Sequence, residues 1–187
     1  MELAKDKLYT YDEYATWDDD IRRELIDGII YAMSAPSIKH QRIVSNLNAS
    51  FFQYLKDKPC NVFPAPFDVR LNADDKNDTV VQPDLVVICD KSKLDDKKTC
   101  KGAPDLVIEI TSFSTAKNDR ITKRIKYEEA GVREYWIVDP DMESVETLVL
   151  RDGGYMSKAY EEKEDIVSSG IFDGFKISLE EIFYESW

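Results

Sequence analysis

The chain has 187 residues, enough for one domain with a substantial core and too few for two comfortable ones. Its 25 Lys and Arg against 37 Asp and Glu give a net charge of −12, which repels bulk nucleic acid and anionic membranes. Any nucleic-acid contact must then come from a local basic patch or a metal, and the single histidine, His40, argues against a Ser-His-Asp triad or a His-rich zinc site.

In chain order, Thr10-Tyr11-Asp12-Glu13 has the Thr-x-x-Glu form of a capping box and predicts a short helix. RRELIDGIIYAMS reads as two strands turning at Asp27-Gly28, a strong hairpin signal. In SIKHQRIVSNLNASFFQYLKDK, the four-residue spacing of Ile43, Leu47, Phe51 and Leu55 predicts a long amphipathic helix. Two extended segments around CNVFPAPFDVRL lead into the polar loop NADDKNDT. TVVQPDLVVICD and APDLVIEIT read as apolar strands joined by a charged connection over 90–103. STAKNDRITKRIKYEEAG predicts a second helix, capped by Ser114 or Thr115 and stopped at Gly131. REYWIVDP is a buried strand with Tyr135 and Trp136 in the core, SVETLVLRDGGYMSKAYEE a hairpin around Asp152-Gly153-Gly154, and ISLEEIF a short closing helix. This order predicts a single α/β domain over 1–187, with a central mixed β-sheet flanked by helices.

Cys60, Cys89 and Cys100 are odd in number and lack CxxC spacing, which suggests free thiols in a reducing cytoplasm. MELAKDKLYTYDEY lacks the apolar core of a signal peptide, and no run is long enough to span a membrane. The expected location is therefore cytoplasmic.

Glu109 interrupts the apolar strand, between Ile108 and Ile110. A buried carboxylate needs an ion pair, a route to solvent, or a divalent cation that offsets and uses its charge. A hard cation calls for a second carboxylate nearby. Asp105 lies four residues earlier in the same strand, roughly 13 Å away, too far to share an ion. Asp84 is better placed. If the two apolar strands pair antiparallel about a centre near residues 96–97, Asp84 falls opposite Glu109 and both carboxylates come within reach of one ion.

These residues carry a resemblance. The segment PDLVV followed by a strand carrying Glu-Ile resembles the PD-(D/E)XK core of restriction-endonuclease-like nucleases. ELIDGIIYAMSAPSIKHQRI, VVQPDLVVICD, GAPDLVIEITSFST, the Asp119-x-x-x-Lys123-x-x-x-Tyr127 pattern and AGVREYWIVDP together resemble the Uma-two family of endonucleases, over about Thr10 to Trp187. The resemblance implies a restriction-endonuclease-like core, with Asp84 and Glu109 as ligands of Mg2+ or Mn2+ and Glu24 as an additional acid. It also implies hydrolysis of phosphodiester bonds in nucleic acid, DNA ahead of RNA. The usual lysine two positions after the glutamate is absent, since Thr111 stands there, and the family pattern moves that role to Lys123. Phe113 departs from the family's proline and alters a turn rather than the chemistry.

A bound metal would activate water and offset phosphate charge. Lys123 would orient the water or neutralise charge, and Glu24 would hold Lys123 or reach the metal through water. Two points stay open. Glu24 also reads as an ordinary exposed strand residue. On the second helix, Asp119, Lys123, Tyr127 and Ala130 share one face, while Ile121 and Ile125 lie nearly opposite. If the isoleucines face the sheet, Lys123 points away; if Tyr127 faces it, the isoleucines need a cover such as a homodimer interface. His40, near a helix start, reads as a cap or core residue. A module that keeps the nuclease fold but only binds or oligomerises is the alternative function.

Overall fold

The structure is a computed structural model and describes residues 7–19, 21–73, 75–112, 116 and 118–185. The expected caps Ser114 and Thr115 and the Phe113 turn lie outside the described residues.

Helix α1 (Tyr11–Tyr14) opens with the capping box, in which Thr10 N donates to Glu13 Oε2 at 3.1 Å. Strands β1 (Arg23–Ile26) and β2 (Ile29–Ala32) pair antiparallel with Ile26 opposite Ile29. Asp27 and Gly28 turn between them with φ of 51° and 77°, the mirror-image turn that matches strand twist. A Cβ on Gly28 would stand 2.9 Å from Leu8 Cβ, so glycine also permits a close approach. Helix α2 (Ile38–Leu55) buries Ile43, Leu47, Phe51 and Leu55, the stripe that the spacing predicts.

Next come β3 (Asn61–Pro64), β4 (Val69–Arg70), β5 (Val80–Val81), β6 (Leu85–Ile88), β7 (Cys100–Lys101) and β8 (Leu106–Ile110). The segment Asn118–Lys123 is wound as a π-helix and runs into α3 (Arg124–Ala130), which ends at Gly131 with φ 84°. Then follow β9 (Glu134–Asp139), β10 (Ser144–Arg151), β11 (Gly154–Tyr160), β12 (Ile166–Ser168), β13 (Lys176–Ser178) and α4 (Leu179–Ile182).

The fold is mixed α/β with two main sheets, which corrects the expectation of one central sheet. A six-stranded sheet has the order β11-β10-β9-β8-β6-β3, and a five-stranded sheet the order β2-β1-β5-β4-β7. Each is mixed: β8 runs parallel to β9, β4 runs parallel to β7, and the other neighbours are antiparallel. The side chains of β6 and β8 alternate between two cores. Leu85, Val87, Leu106, Ile108 and Ile110 pack with α2 and α4. Val86, Ile88 and Val107 face the other way, onto Ile26, Val69 and Val81 of the five-stranded sheet and onto Tyr127 of α3.

TVVQPDLVVICD, read as one strand, is two. Val80–Val81 belongs to the five-stranded sheet and Leu85–Ile88 to the six-stranded one. Pro83 lacks the N–H a continuous ladder requires, so the chain changes sheets there.

The thiol expectation is also corrected. Asn61 pairs with Ile88, so the next positions outward, Cys60 and Cys89, meet across β3 and β6 and form a disulfide. Cys100 alone is free, and it is buried. The step from three free thiols to a reducing compartment loses its basis. Among the described residues no helix is long and apolar enough to cross a membrane.

Candidate functional site

The strand register builds the site. Leu85 lies opposite Ile108 and Val86 opposite Val107, and continuing that ladder sets Asp84 opposite Glu109. By alternation Glu109 shares a face with Val107, and Asp84 shares it with Val86, the face toward α3 and the five-stranded sheet. Asp84 Oδ2 accepts Ile110 N–H at 2.8 Å, just beyond the last ladder pair, and contacts His40 Nε2 at 3.1 Å. Asp105 is elsewhere, accepting from Cys89 N at 2.8 Å and Arg133 at 3.0 Å.

Lys123 points inward. Its Nζ lies 2.8 Å from Glu24 Oε1, 2.9 Å from Glu109 Oε1 and 3.6 Å from Asp119 Oδ1. All four residues are buried, and Tyr127 Oη donates to Glu109 Oε1 at 2.6 Å. Ile121 and Ile125 are 53% and 50% exposed, so of the two open orientations the helix takes the one that buries the lysine. The π winding helps. A π turn rotates less per residue than an α turn, so the drift of the step from Asp119 to Lys123 offsets that from Lys123 to Tyr127. The three side chains thus stay on one face.

Glu24 is buried, not an exposed strand residue. Its Oε1 accepts Gln82 N–H at 2.9 Å as well as Lys123. Gln82 Nε2 in turn donates to Asp68 at 2.9 Å, and Arg22 Nε donates to Gln82 Oε1 at 3.2 Å. The Gln82-Pro83-Asp84 step therefore fastens Glu24 on one side and presents Asp84 on the other.

Charge is out of balance here. Three carboxylates surround one ammonium, with Asp84 beside them. Burial pushes the Glu109 carboxyl well above its ordinary range; Lys123 pulls it down, while Asp119, Asp84 and Glu24 push it up. Burial works against the Lys123 ammonium, yet Glu109, Glu24 and Asp119 outweigh it and keep that group charged. Burial, then Glu109 and Glu24, hold Tyr127 in its neutral, donating form.

Glu134 offers a contrast. It too is buried in a strand, but donors from Trp136 Nε1, Ser169 Oγ, Gly170 N and Ile171 N satisfy both its oxygens. Glu109 accepts its hydrogen bonds, from Lys123 and Tyr127, on Oε1. Asp84 accepts its own on Oδ2.

The family model described as "Uma2: Putative restriction endonuclease" matches residues 11–180. This chain belongs to the Uma2 family. Among solved structures, it is similar to a "putative nuclease belonging to DUF820" from Anabaena variabilis ATCC 29413. That match has a TM-score of 0.76 at 21% identity and covers 94% of this chain and 97% of the other. At that identity it speaks for the fold alone. No curated protein matches the chain.

Seen as a Uma2 protein, the chain gathers Glu24, Asp84, Glu109, Asp119 and Lys123 along one cleft of about 940 Å³, whose wall also includes Arg22, Tyr31, Lys39 and His40. The contact of His40 with Asp84 was not legible in the sequence. The signal lay in Ser37, whose Oγ accepts His40 N–H at 3.1 Å and so fixes the histidine in the first turn of α2. Among the described residues no group of three or more His, Cys, Asp or Glu is arranged to hold an ion. The donor set is instead two carboxylates, each with one oxygen accepting no hydrogen bond among the described residues. That suits Mg2+, which keeps most of its shell as water and phosphate oxygen.

Proposed function

We propose that this protein is a metal-dependent nuclease with a restriction-endonuclease-like core, hydrolysing phosphodiester bonds of nucleic acid. The observation that carries the reading is the pairing of Asp84 and Glu109 on adjacent strands, each with one oxygen left over, beside a buried Lys123 and an excess of negative charge. Asp84 and Glu109 would hold Mg2+ or Mn2+. The ion would make a water more nucleophilic and offset charge on the phosphate. Tyr127 and Lys123 orient Glu109 by engaging Oε1. Glu24 and Asp119 keep Lys123 charged and in place, so its positive charge stands at the cleft where phosphate oxygens gain charge. The family description favours DNA over RNA as substrate. The half-exposed Ile121 and Ile125 support a homodimer, and a monomer by light scattering at micromolar concentration would refute that part.

The test is incubation of the purified protein with single- and double-stranded DNA and RNA, with Mg2+ or Mn2+, beside Glu109→Gln and Lys123→Ala. Glu109→Gln should abolish cleavage; Lys123→Ala should weaken it while sparing metal binding. Cleavage undiminished in Glu109→Gln would mean another site or a contaminant. The net charge of −12 favours the second reading, a module that binds without cleaving. No cleavage of any substrate, together with no Mn2+ binding by calorimetry, would establish it over the first.

A further inference from the structure

His40 has no part in the chemistry above, yet its surroundings are specific. Ser37 caps α2 and fixes His40 in the first helical turn, where the ring reaches the end of the six-stranded sheet and touches Asp84. Its side chain is 15% exposed, as is that of Asp84. Nδ1 is buried and has no hydrogen-bond partner among the described residues. An ionised carboxylate only accepts, so the 3.1 Å contact requires the proton on Nε2. In the neutral ring the partnerless Nδ1 is then a bare lone pair, which costs less to bury than an orphaned N–H.

Asp84 Oδ2 thus receives two donors, Nε2–H of His40 and the Ile110 backbone N–H at 2.8 Å, one from α2 and one from the neighbouring strand β8. With that oxygen saturated, the carboxylate cannot turn about its Cβ–Cγ bond without breaking both bonds. Oδ1 is the oxygen left for an ion in the cleft. Resting on the metal-binding reading above, we propose that His40 is a positioning residue: it locks Asp84 so that Oδ1 is presented to the cation, and does not itself ligate or transfer a proton. Groups that hold a ligating carboxylate in this way typically change metal affinity by about 10–100-fold when removed.

His40 is the sole histidine of the chain, which makes it directly observable. Nitrogen-15 NMR of the metal-free protein at pH 8 should show one imidazole with its proton on Nε2. The opposite tautomer overturns the proposal. Calorimetry with Mn2+ then compares wild type with His40→Phe, which keeps a flat ring but no donor, and with His40→Gln, which restores an N–H donor. Affinity should fall about 10–100-fold in His40→Phe and stay within about threefold of wild type in His40→Gln. Equal losses in both variants would assign His40 to packing alone, and undiminished binding by His40→Phe would remove it from the site. If His40→Phe fails to fold, His40→Gln against His40→Ala decides the same question. A wild type that binds no Mn2+ sinks the metal reading and this proposal with it, an outcome distinct from wild-type binding that His40→Phe leaves intact.

Discussion

Replacing Lys123 by methionine keeps most of the side-chain volume and removes the ammonium from between Glu24 at 2.8 Å, Glu109 at 2.9 Å and Asp119 at 3.6 Å. Breaking a buried ion pair from one side typically costs about 3–5 kcal/mol, because the partner's charge stays buried and unmatched. Here three carboxylates lose one cation, so the upper part of that range is expected at pH 8 without metal. The sign of the pH dependence follows from Glu109. Burial already holds its pKa well above the ordinary carboxylate range, and losing Lys123 removes the charge that lowers it, leaving the hydrogen bond from Tyr127. An acid with a raised folded pKa contributes stability that is complete below its unfolded value and lost as pH rises through the folded one. The deficit of Lys123→Met should therefore grow with pH across the interval between the folded pKa of Glu109 with Lys123 present and the higher one without it, at up to about 1.4 kcal/mol per pH unit for one proton. Urea denaturation in EDTA at pH 5, 6.5 and 8, followed by tryptophan fluorescence, measures it. Adding Glu109→Gln to Lys123→Met should recover a large part of the loss. A deficit under about 1 kcal/mol at pH 8, or one that shrinks as pH rises, would refute the account of Lys123 as the counter-charge of this cluster.

Glu134→Ala should cost about 3–5 kcal/mol in the same assay, since it strands donors from Trp136, Ser169, Gly170 and Ile171, and it should leave Mn2+ affinity unchanged. Asp96 is held at about 2: burial works the other way, but the Thr99 hydroxyl and the N–H groups of Thr99 and Lys98 prevail. Its contribution is present above the ordinary carboxylate pKa and lost as pH falls from about 4 to 2, so the melting temperatures of wild type and Asp96→Asn should converge across that window. Discounted for the side chain's remaining exposure, the difference at pH 7 is about 1 kcal/mol. Gly28→Ala should destabilise by about 1–2 kcal/mol through its positive φ and the contact with Leu8, as chemical denaturation would register.

What the sequence showed and what it hid follow one physical division. Local signals were legible: the capping box of α1, the Asp27-Gly28 turn, the buried stripe of α2 and the Gly131 stop each depend on residues a few positions apart. The Asp84–Glu109 register was legible too, because a connection of known length fixes the centre of an antiparallel pair. The partition into two sheets was hidden. Val80–Val81 and Leu85–Ile88 look like one apolar run, and only Pro83 marked the break. The Cys60–Cys89 bond required the β3–β6 register, which no pattern in the short strand β3 specifies. The inward face of Lys123 rested on family resemblance, because the isoleucine stripe alone favours the opposite orientation.

Because Glu24 arrives on β1 and its companions just before β6, on β8 and on the π-helical segment before α3, the constellation cannot be excised as a module. A fragment starting at β3 would retain Asp84, Glu109 and Lys123, but it would leave Lys123 without one of its nearest carboxylates and uncover part of the core around Val86, Ile88 and Val107, where Ile26 of β1 packs. Truncation past β1 would therefore remove core packing and a partner of Lys123 at once. Recombination between relatives would have to exchange the hairpin region together with Gln82, since Arg22 Nε donates to the Gln82 side-chain Oε1 at 3.2 Å. Those two segments, nearly sixty positions apart, form one unit of inheritance.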